Sequence, residues 1–148
     1  MIALACDHGG FELMQKVRSH LDSKNIDFRD FGTFIPQSCD YPEVAAPATR
    51  AVLNGECDKA ILICGTGIGI SIAANKTPGI RAALCTDIFM AEMARSHNDA
   101  NVLALGGRVL DSVTAFGIID KFLNTPFSDE TKHRLRVEML NAMDDARK

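Results

Sequence analysis

The sequence lacks the features that mark membrane proteins and nucleic-acid-binding proteins. None of its apolar runs approaches the roughly 20 residues that a membrane-spanning helix needs. Its net charge is −3, it contains no basic run, and it has one tyrosine and no tryptophan, a composition that argues against a nucleic acid partner. The short apolar segment after Met1 ends at Asp7, which is too soon for a secretory signal peptide. We therefore expect a cytoplasmic protein.

The cysteines do not form any recognisable pair. Five are present, an odd number, and no two are spaced as C-x-x-C. This pattern is typical of a reducing cytoplasm and argues against a disulfide scaffold or a zinc site, so we expect no metal and no cofactor. Cys6 and Cys85 stand at the ends of predicted strands and are expected to be small buried hydrophobic residues. Cys39 and Cys57 carry no motif, whereas Cys64 stands beside a glycine-rich loop.

Short apolar runs alternate with amphipathic segments along the chain. The runs predict strands at 2–6, 26–31, 60–63, 80–84 and 101–105. The intervening segments predict helices at 11–21, 44–53, 70–75, 88–95, 112–123 and 129–147, with Pro47 indicating a kink or a late start in the second. The 148 residues predict a single domain over residues 1–148. Its fold is α/β: a Rossmann-like three-layer domain with a five-stranded parallel sheet, helices on both faces and a long C-terminal helix.

The third run ends at Cys64 and continues as G-T-G-I-G. Glycines permit a tight turn, and the unpaired amides at the start of the next helix would bind an anion or a developing oxyanion. A helix N-terminus also favours the thiolate form of a cysteine at its edge. A purely structural turn is the plain alternative. A dinucleotide-binding loop is a second alternative, but Ile70 replaces its third glycine, and only Asp87 could serve as its acidic residue.

Polar residues gather at the carboxyl ends of the predicted strands, where ligands bind in sheets of this kind. Asp7 and His8 follow the first strand, although Asp7 could simply cap the next helix. Arg108 follows the fifth strand and suits an anion. Other polar residues have a plain structural alternative to a functional role. His97 and Asn98 could be ordinary surface residues of a loop, and Lys132 and Arg136 could lie on a solvated helix face.

Several motifs in order along nearly the whole chain resemble the ribose-5-phosphate isomerase B family, which includes allose-6-phosphate and galactose-6-phosphate isomerases. They read D-H-G-G-F-E-L, D-Y-P, I-L-I-C-G-T-G-I-G-I-S-I-A-A-N-K, G-I-R-A-A-L-C, H-N-D-A-N-V-L-A-L-G-G-R-V and H-R-L-R-V. The resemblance implies metal-free aldose–ketose isomerisation of a phosphorylated sugar. In this scheme Cys64 moves a proton between C1 and C2 through a cis-enediolate, while Thr66 and His97 assist ring opening.

The resemblance also assigns the binding residues. The anion hole would be formed by backbone amides of the loop, namely those of Gly65, Gly67, Ile68, Gly69 and Ser71. Sugar hydroxyls would contact Asp7, Tyr41 and Asn98. The phosphate would contact His8, Arg108, Lys132 and Arg136. The family is dimeric, often a dimer of dimers, and His97, Asn98 and Arg108 would reach into the partner's site.

At two positions the residue in this chain bears on how far the family pattern applies. One branch of the family uses a Glu where this chain has Ile70, which leaves Cys64 as the candidate base. Lys132 replaces a family arginine, and a lysine keeps the charge but loses the two-pronged geometry. We expect interconversion of ribose 5-phosphate and ribulose 5-phosphate. The alternatives are an allose-6-phosphate or galactose-6-phosphate isomerase, the latter as one subunit of two, and a non-catalytic nucleotide-binding module.

Overall fold

The computed structural model describes residues 1–147, and Lys148, the last residue of the predicted domain, lies outside the described residues. The strands are β1 (Ile2–Cys6), β2 (Phe28–Asp30), β3 (Lys59–Cys64), β4 (Ala82–Leu84) and β5 (Val102–Gly106). The helices are α1 (Phe11–Ser23), α2 (Tyr41–Leu53), α3 (Ile68–Asn75), α4 (Ile88–Ser96), α5 (Ser112–Asn124) and α6 (Thr131–Asp145). All strand pairs are parallel, in the order β2-β1-β3-β5-β4. The predicted α/β fold is confirmed.

The three central strands alternate their side chains between two apolar layers. Ile61 and Ile63 of β3 pack in the layer formed with α1, α4 and α5. Leu62 and Cys64 pack in the opposite layer, formed with α2 and α3. Because side chains on a strand alternate between faces, this register directs Cys64 towards α3, the helix that starts directly after the glycine-rich loop.

The second helix starts earlier than predicted. It begins at Tyr41 and continues through Pro47 to Leu53, so the expected late start is wrong. Pro42 lies in the first turn, where the missing N–H costs no hydrogen bond because the first amides of a helix have no partner within it. On the buried side Ala45 packs against the sheet, and this packing outweighs the bond that Pro47 loses.

The two edge strands are shorter than predicted. Before β4, the amide of Arg81 donates to the side chain of Asn101 at 2.8 Å. Asn75 holds Ala82 by its side-chain amide, accepting from the Ala82 N–H at 2.8 Å and donating to the Ala82 carbonyl at 2.9 Å. Side-chain hydrogen bonds therefore replace part of the sheet ladder at this edge. Among residues 1–147, no helix combines the length and apolarity that a membrane span requires.

Candidate active site

The loops that follow β1, β3 and β5 meet at one edge of the sheet because these three strands are neighbours. Gly107 donates its amide to the Cys64 carbonyl at 2.8 Å, and Arg108 donates to the Gly65 carbonyl at 2.9 Å. A Cβ on Gly107 would lie 2.6 Å from the carbonyl oxygen of Gly9. The contact between these loops therefore requires glycine, and it fixes the backbone around Cys64.

The Cys64 thiol lies at the start of α3. Its residue is 5% exposed, and its Sγ accepts the N–H of Gly67 at 3.1 Å. Gly67 has φ of +79°, which a side chain would oppose. Burial raises the pKa of the Cys6 thiol to about 12 and that of the Cys85 thiol to about 11. Those two remain protonated thiols at neutral pH, in agreement with the structural role expected for them.

Some of the loop amides predicted to form an anion hole are used inside the loop. Ile68 donates its amide to the Oγ1 of Thr66 at 3.2 Å, and Ser71 donates its amide to the Gly67 carbonyl at 3.1 Å. The Ser71 hydroxyl donates to the Ile68 carbonyl at 2.8 Å, so the geometry does not support Ser71 as a donor. Within residues 1–147, the amides of Gly65 and Gly69 donate to no other atom.

Asp7 and His8 follow β1 and are both held by backbone amides. The Oδ1 of Asp7 accepts from Gly9 at 2.9 Å and from Gly10 at 3.2 Å, so this oxygen holds the turn before α1. The N-cap of that helix is Gly10, without a side-chain cap. The Nδ1 of His8 accepts the amide of Cys39 at 3.2 Å. A nitrogen that accepts carries no proton, so the neutral ring has its proton on Nε2.

Tyr41 and Arg108 flank the glycine-rich loop on either side. A Cβ on Gly69 would lie 2.7 Å from the Tyr41 ring, and a Cβ on Gly65 would lie 3.2 Å from a guanidinium nitrogen of Arg108. The resemblance implied that Arg108 reaches into a partner's site. In this chain it lies against its own Gly65, because its amide is bonded to that residue's carbonyl.

The remaining predicted residues lie at the opposite edge of the sheet. His97 is the C-cap of α4, so it precedes the amino end of β5, whereas Cys64 pairs with Gly106 at the carboxyl end. β5 has 5 residues, and at about 3.3 Å per residue the two edges are about 16 Å apart. Asn98 follows His97, and exposed Lys132 adjoins His133 of α6, whose ring contacts His97. A single chain therefore does not bring His97 to Cys64.

The His97 ring stacks on His133 of α6, with ring centroids 4.0 Å apart and planes 13° apart. Burial lowers the pKa of His133, and the charges of His97, Lys132 and Arg136 lower it further. Lys132 itself has an acidic neighbour, since its Nζ lies 3.9 Å from a carboxylate oxygen of Glu130. We call this second group, His97 to Asn98 with Lys132, His133 and Arg136, the cationic cluster, because Lys132 and Arg136 carry positive charge.

Comparison with known proteins finds relatives that span the chain. Residues 2–140 match the family described as Ribose/Galactose Isomerase. Ribose-5-phosphate isomerase B of Escherichia coli is 44% identical over 146 residues, which cover 99% of this chain and 97% of that protein. Solved structures agree: ribose-5-phosphate isomerase B of Clostridium thermocellum has a TM-score of 0.97 at 45% identity, covering 99% of both chains. That of Thermotoga maritima has a TM-score of 0.93 at 48% identity, covering 95% of this chain and 97% of that one.

The chain belongs to the ribose/galactose isomerase family. It is therefore an isomerase, as the resemblance implied. The nucleotide-binding alternative loses its acidic residue, because the Oδ1 of Asp87 accepts the amide of Met90 at 2.8 Å and caps α4. The roles of individual site residues in this ribose/galactose isomerase family member stay predictions.

Sequence reasoning missed several residues that hold the cationic cluster. His133 was part of a quoted motif, and its spacing from Val137, four residues on, could have indicated an inward-facing pair; both are buried. Arg81, Arg95 and Asp99 surround the backbone of the turn after α4. Arg95 and Asp99 are four residues apart, a spacing that could have indicated an ion pair, whereas no local pattern marks Arg81, which contacts them from a separate segment of the chain.

Proposed function

We propose that this member of the family interconverts ribose 5-phosphate and ribulose 5-phosphate. The observation that carries the proposal is the Cys64 sulfur, held by the Gly67 amide at 3.1 Å at the start of α3. Its relatives named ribose-5-phosphate isomerase B match this chain almost end to end. We further propose that residues 1–148 act as one domain in the cytoplasm, which suits five free cysteines.

The proposed chemistry is a proton transfer between neighbouring carbons. The Cys64 thiolate takes the proton from C2 of the open-chain aldose and returns it to C1. Negative charge passes from O1 to O2 through a cis-enediolate, and the hydroxyl proton moves in the opposite direction. Backbone amides at Gly65 and Gly69 are the donors that would stabilise this charge, and one such donor is typically worth about 2.7–4 kcal/mol of barrier. The step requires no metal or cofactor.

Binding of the sugar and its phosphate follows from the residues around the loop. The second oxygen of Asp7 and the hydroxyl of Tyr41 suit sugar hydroxyls, and the Nε2–H of His8 suits the phosphate. Arg108 adds a positive charge against Gly65. Lys132 and Arg136, on α6, lie with the cationic cluster at the other edge, so their charges reach the same phosphate only from a second copy of the chain.

We therefore propose a homodimer with shared active sites, in which Cys64 of one copy works with His97 and Asn98 of the other. A groove of about 660 Å³ supports this arrangement, since it is lined by Asn98 together with apolar Leu140 and Met143. More than half of Ile68 and Ile72 is exposed on α3, directly after the Cys64 loop. These apolar side chains are suited to the groove of a second copy, where they would bring the loop near Asn98.

Replacement of Cys64 tests the proposed chemistry. In Cys64→Ala, turnover of ribose 5-phosphate should fall about 10²–10⁴-fold, the usual contribution of a general base. Incorporation of deuterium from D₂O into the sugar should be lost to the same extent, while calorimetric binding of ribose 5-phosphate stays close to that of the unaltered protein. Cys57→Ala is the matched control, because it removes a buried thiol far from the loop. Retained turnover in Cys64→Ala would remove the thiol from the mechanism.

A further inference from the structure

We propose that Asp99 is a positioning residue for the turn that carries His97 and Asn98, acting through two arginines. Its carboxylate is divided between them. Oδ1 lies 2.9 Å from Nη1 of Arg95, and Oδ2 lies 3.4 Å from Nη2 of Arg81. The effect of Asp99 on catalysis rests on the proposed function, since it requires that His97 and Asn98 contact the sugar.

The two arginines also hold the backbone of the turn directly. Arg81 donates from Nε to the carbonyls of Asn98 and Asp99, at 3.2 Å each, and from Nη2 to the Asp99 carbonyl at 2.9 Å. Arg95 donates from Nη1 to the Ala100 carbonyl at 2.6 Å. Every residue from Asn98 to Ala100 thus has its carbonyl tied to a guanidinium, and Asp99 is the acidic group that these guanidinium groups share.

Arg81, Arg95 and Asp99, which we call the clamp, link the turn to the rest of the molecule. Arg95 reaches the Thr125 carbonyl at 3.3 Å beyond α5, and Arg81 donates to the side chain of Asn141 on α6 at 2.9 Å. The turn itself is sharp: Asp99 has φ of +46°, a left-handed conformation that Asp tolerates better than most residues. The position and orientation of the His97–Asn98 pair therefore depend on two charged side chains that are themselves held by Thr125 and Asn141.

Loss of the carboxylate charge should loosen the turn because Arg95 is almost buried. Its side chain is 9% exposed, and a buried guanidinium without its counter-charge is unfavourable. Asp99→Asn keeps the shape of the side chain but removes the charge and replaces one oxygen with an NH₂ group. That group cannot accept from an arginine. The variant therefore tests the charge rather than the volume of Asp99.

Asp120 offers a matched control. It also divides its two oxygens between two basic groups, with Oδ1 2.7 Å from Nε2 of His20 and Oδ2 3.1 Å from Nζ of Lys24. Its side chain is 31% exposed, against 35% for Asp99. It lies on α5, away from the His97 turn and from the Cys64 loop. Asp120→Asn therefore reproduces the loss of a shared carboxylate without the loss of the turn.

The experiment combines hydrogen exchange with kinetics. In Asp99→Asn, the amides of residues 99 and 100 should exchange faster than in the unaltered protein, whereas Asp120→Asn leaves them unchanged. The kcat/KM for ribose 5-phosphate should fall about 10- to 100-fold, as small misplacements in an active site typically cause. In a His97→Asn background, adding Asp99→Asn should lower kcat/KM by a clearly smaller factor than it does alone, because one of the two side chains that Asp99 positions is already missing.

Each outcome decides the proposal. Unchanged exchange at residues 99 and 100, or losses of kcat/KM that multiply in the double variant, would overturn it. If Asp99→Asn does not fold, Arg81→Gln removes the other half of the clamp and must give the same pattern. Absence of isomerase activity in the unaltered protein would reject the proposed function instead, while hydrogen exchange would still decide whether Asp99 positions the turn.

Discussion

His8 is oriented by a backbone amide rather than by another side chain. Its Nδ1 accepts from Cys39 at 3.2 Å, so Nε2 is the nitrogen that would donate to a phosphate. Cys39→Pro removes the amide proton and leaves the ring free to change tautomer. We expect KM for ribose 5-phosphate to rise about 3- to 10-fold, the equivalent of a hydrogen bond of about 0.5–1.5 kcal/mol, with kcat less affected.

Cys39→Ala is the control for that prediction because it changes the side chain and keeps the amide. Nitrogen-15 NMR of the His8 ring should report the Nε2–H tautomer in Cys39→Ala and a mixture of tautomers in Cys39→Pro. Equal KM values in the two variants would mean that the amide does not orient His8.

Single residues were predictable where their chemistry is local. Cys64 and the glycines beside it are adjacent in sequence, and their hydrogen bond at 3.1 Å follows from the turn they form. The contact between Cys39 and His8 joins residues that are 31 apart. The Asp99 clamp similarly draws on Arg81 and Asn141. Such contacts exist only once the sheet has ordered the loops, so no spacing in the sequence indicates them.

Among the elements, the starts of α4 and α5 were predicted at the residues where they lie. Each follows an aspartate, Asp87 or Asp111, whose side chain accepts from the amide of Met90 or Thr114. The C-terminal helix begins at Thr131 rather than at Asp129, because Asp129 has φ of +55°, outside the helical region. The length of the edge strand β4 was overestimated for another reason: the residues at its start are bonded to the side chains of Asn75 and Asn101.

Asp87 supports a prediction for α4. Its Oδ1 accepts the Met90 amide at 2.8 Å, and Asp87→Ala leaves that amide without its partner. The free energy of unfolding should decrease by about 1 kcal/mol, within the range of about 0.5–2 kcal/mol for lost caps. Urea unfolding measures this change. Asp87→Asn keeps an acceptor oxygen and should lose clearly less, so equal losses in the two variants would show that the hydrogen bond to Met90 is not what stabilises the start of α4.

The arrangement of the whole molecule determines which site residues can meet. The α4 helix returns the chain from the carboxyl edge of the sheet to the amino edge, because each crossover in a parallel sheet must do so. It therefore carries His97 away from Cys64. The sequence predicted both residues and the strands that hold them, but their separation across β5 depends on the crossover geometry. Cys64 and His97 can act on the same substrate only if the amino edge of a second copy's sheet lies beside the Cys64 loop of the first.

A mixture of two inactive variants tests that arrangement. Cys64→Ala and His97→Asn should each be nearly inactive as homodimers. In a dimer that contains one of each, one site has both changes and the other site has neither, so half of its sites are intact. Random pairing makes about half of the dimers mixed, so an equal mixture that has been unfolded and refolded together should recover about a quarter of the original activity. If each site were formed within one chain, every site would carry one change. The mixture would then remain as inactive as its components, and the shared-site proposal would be rejected.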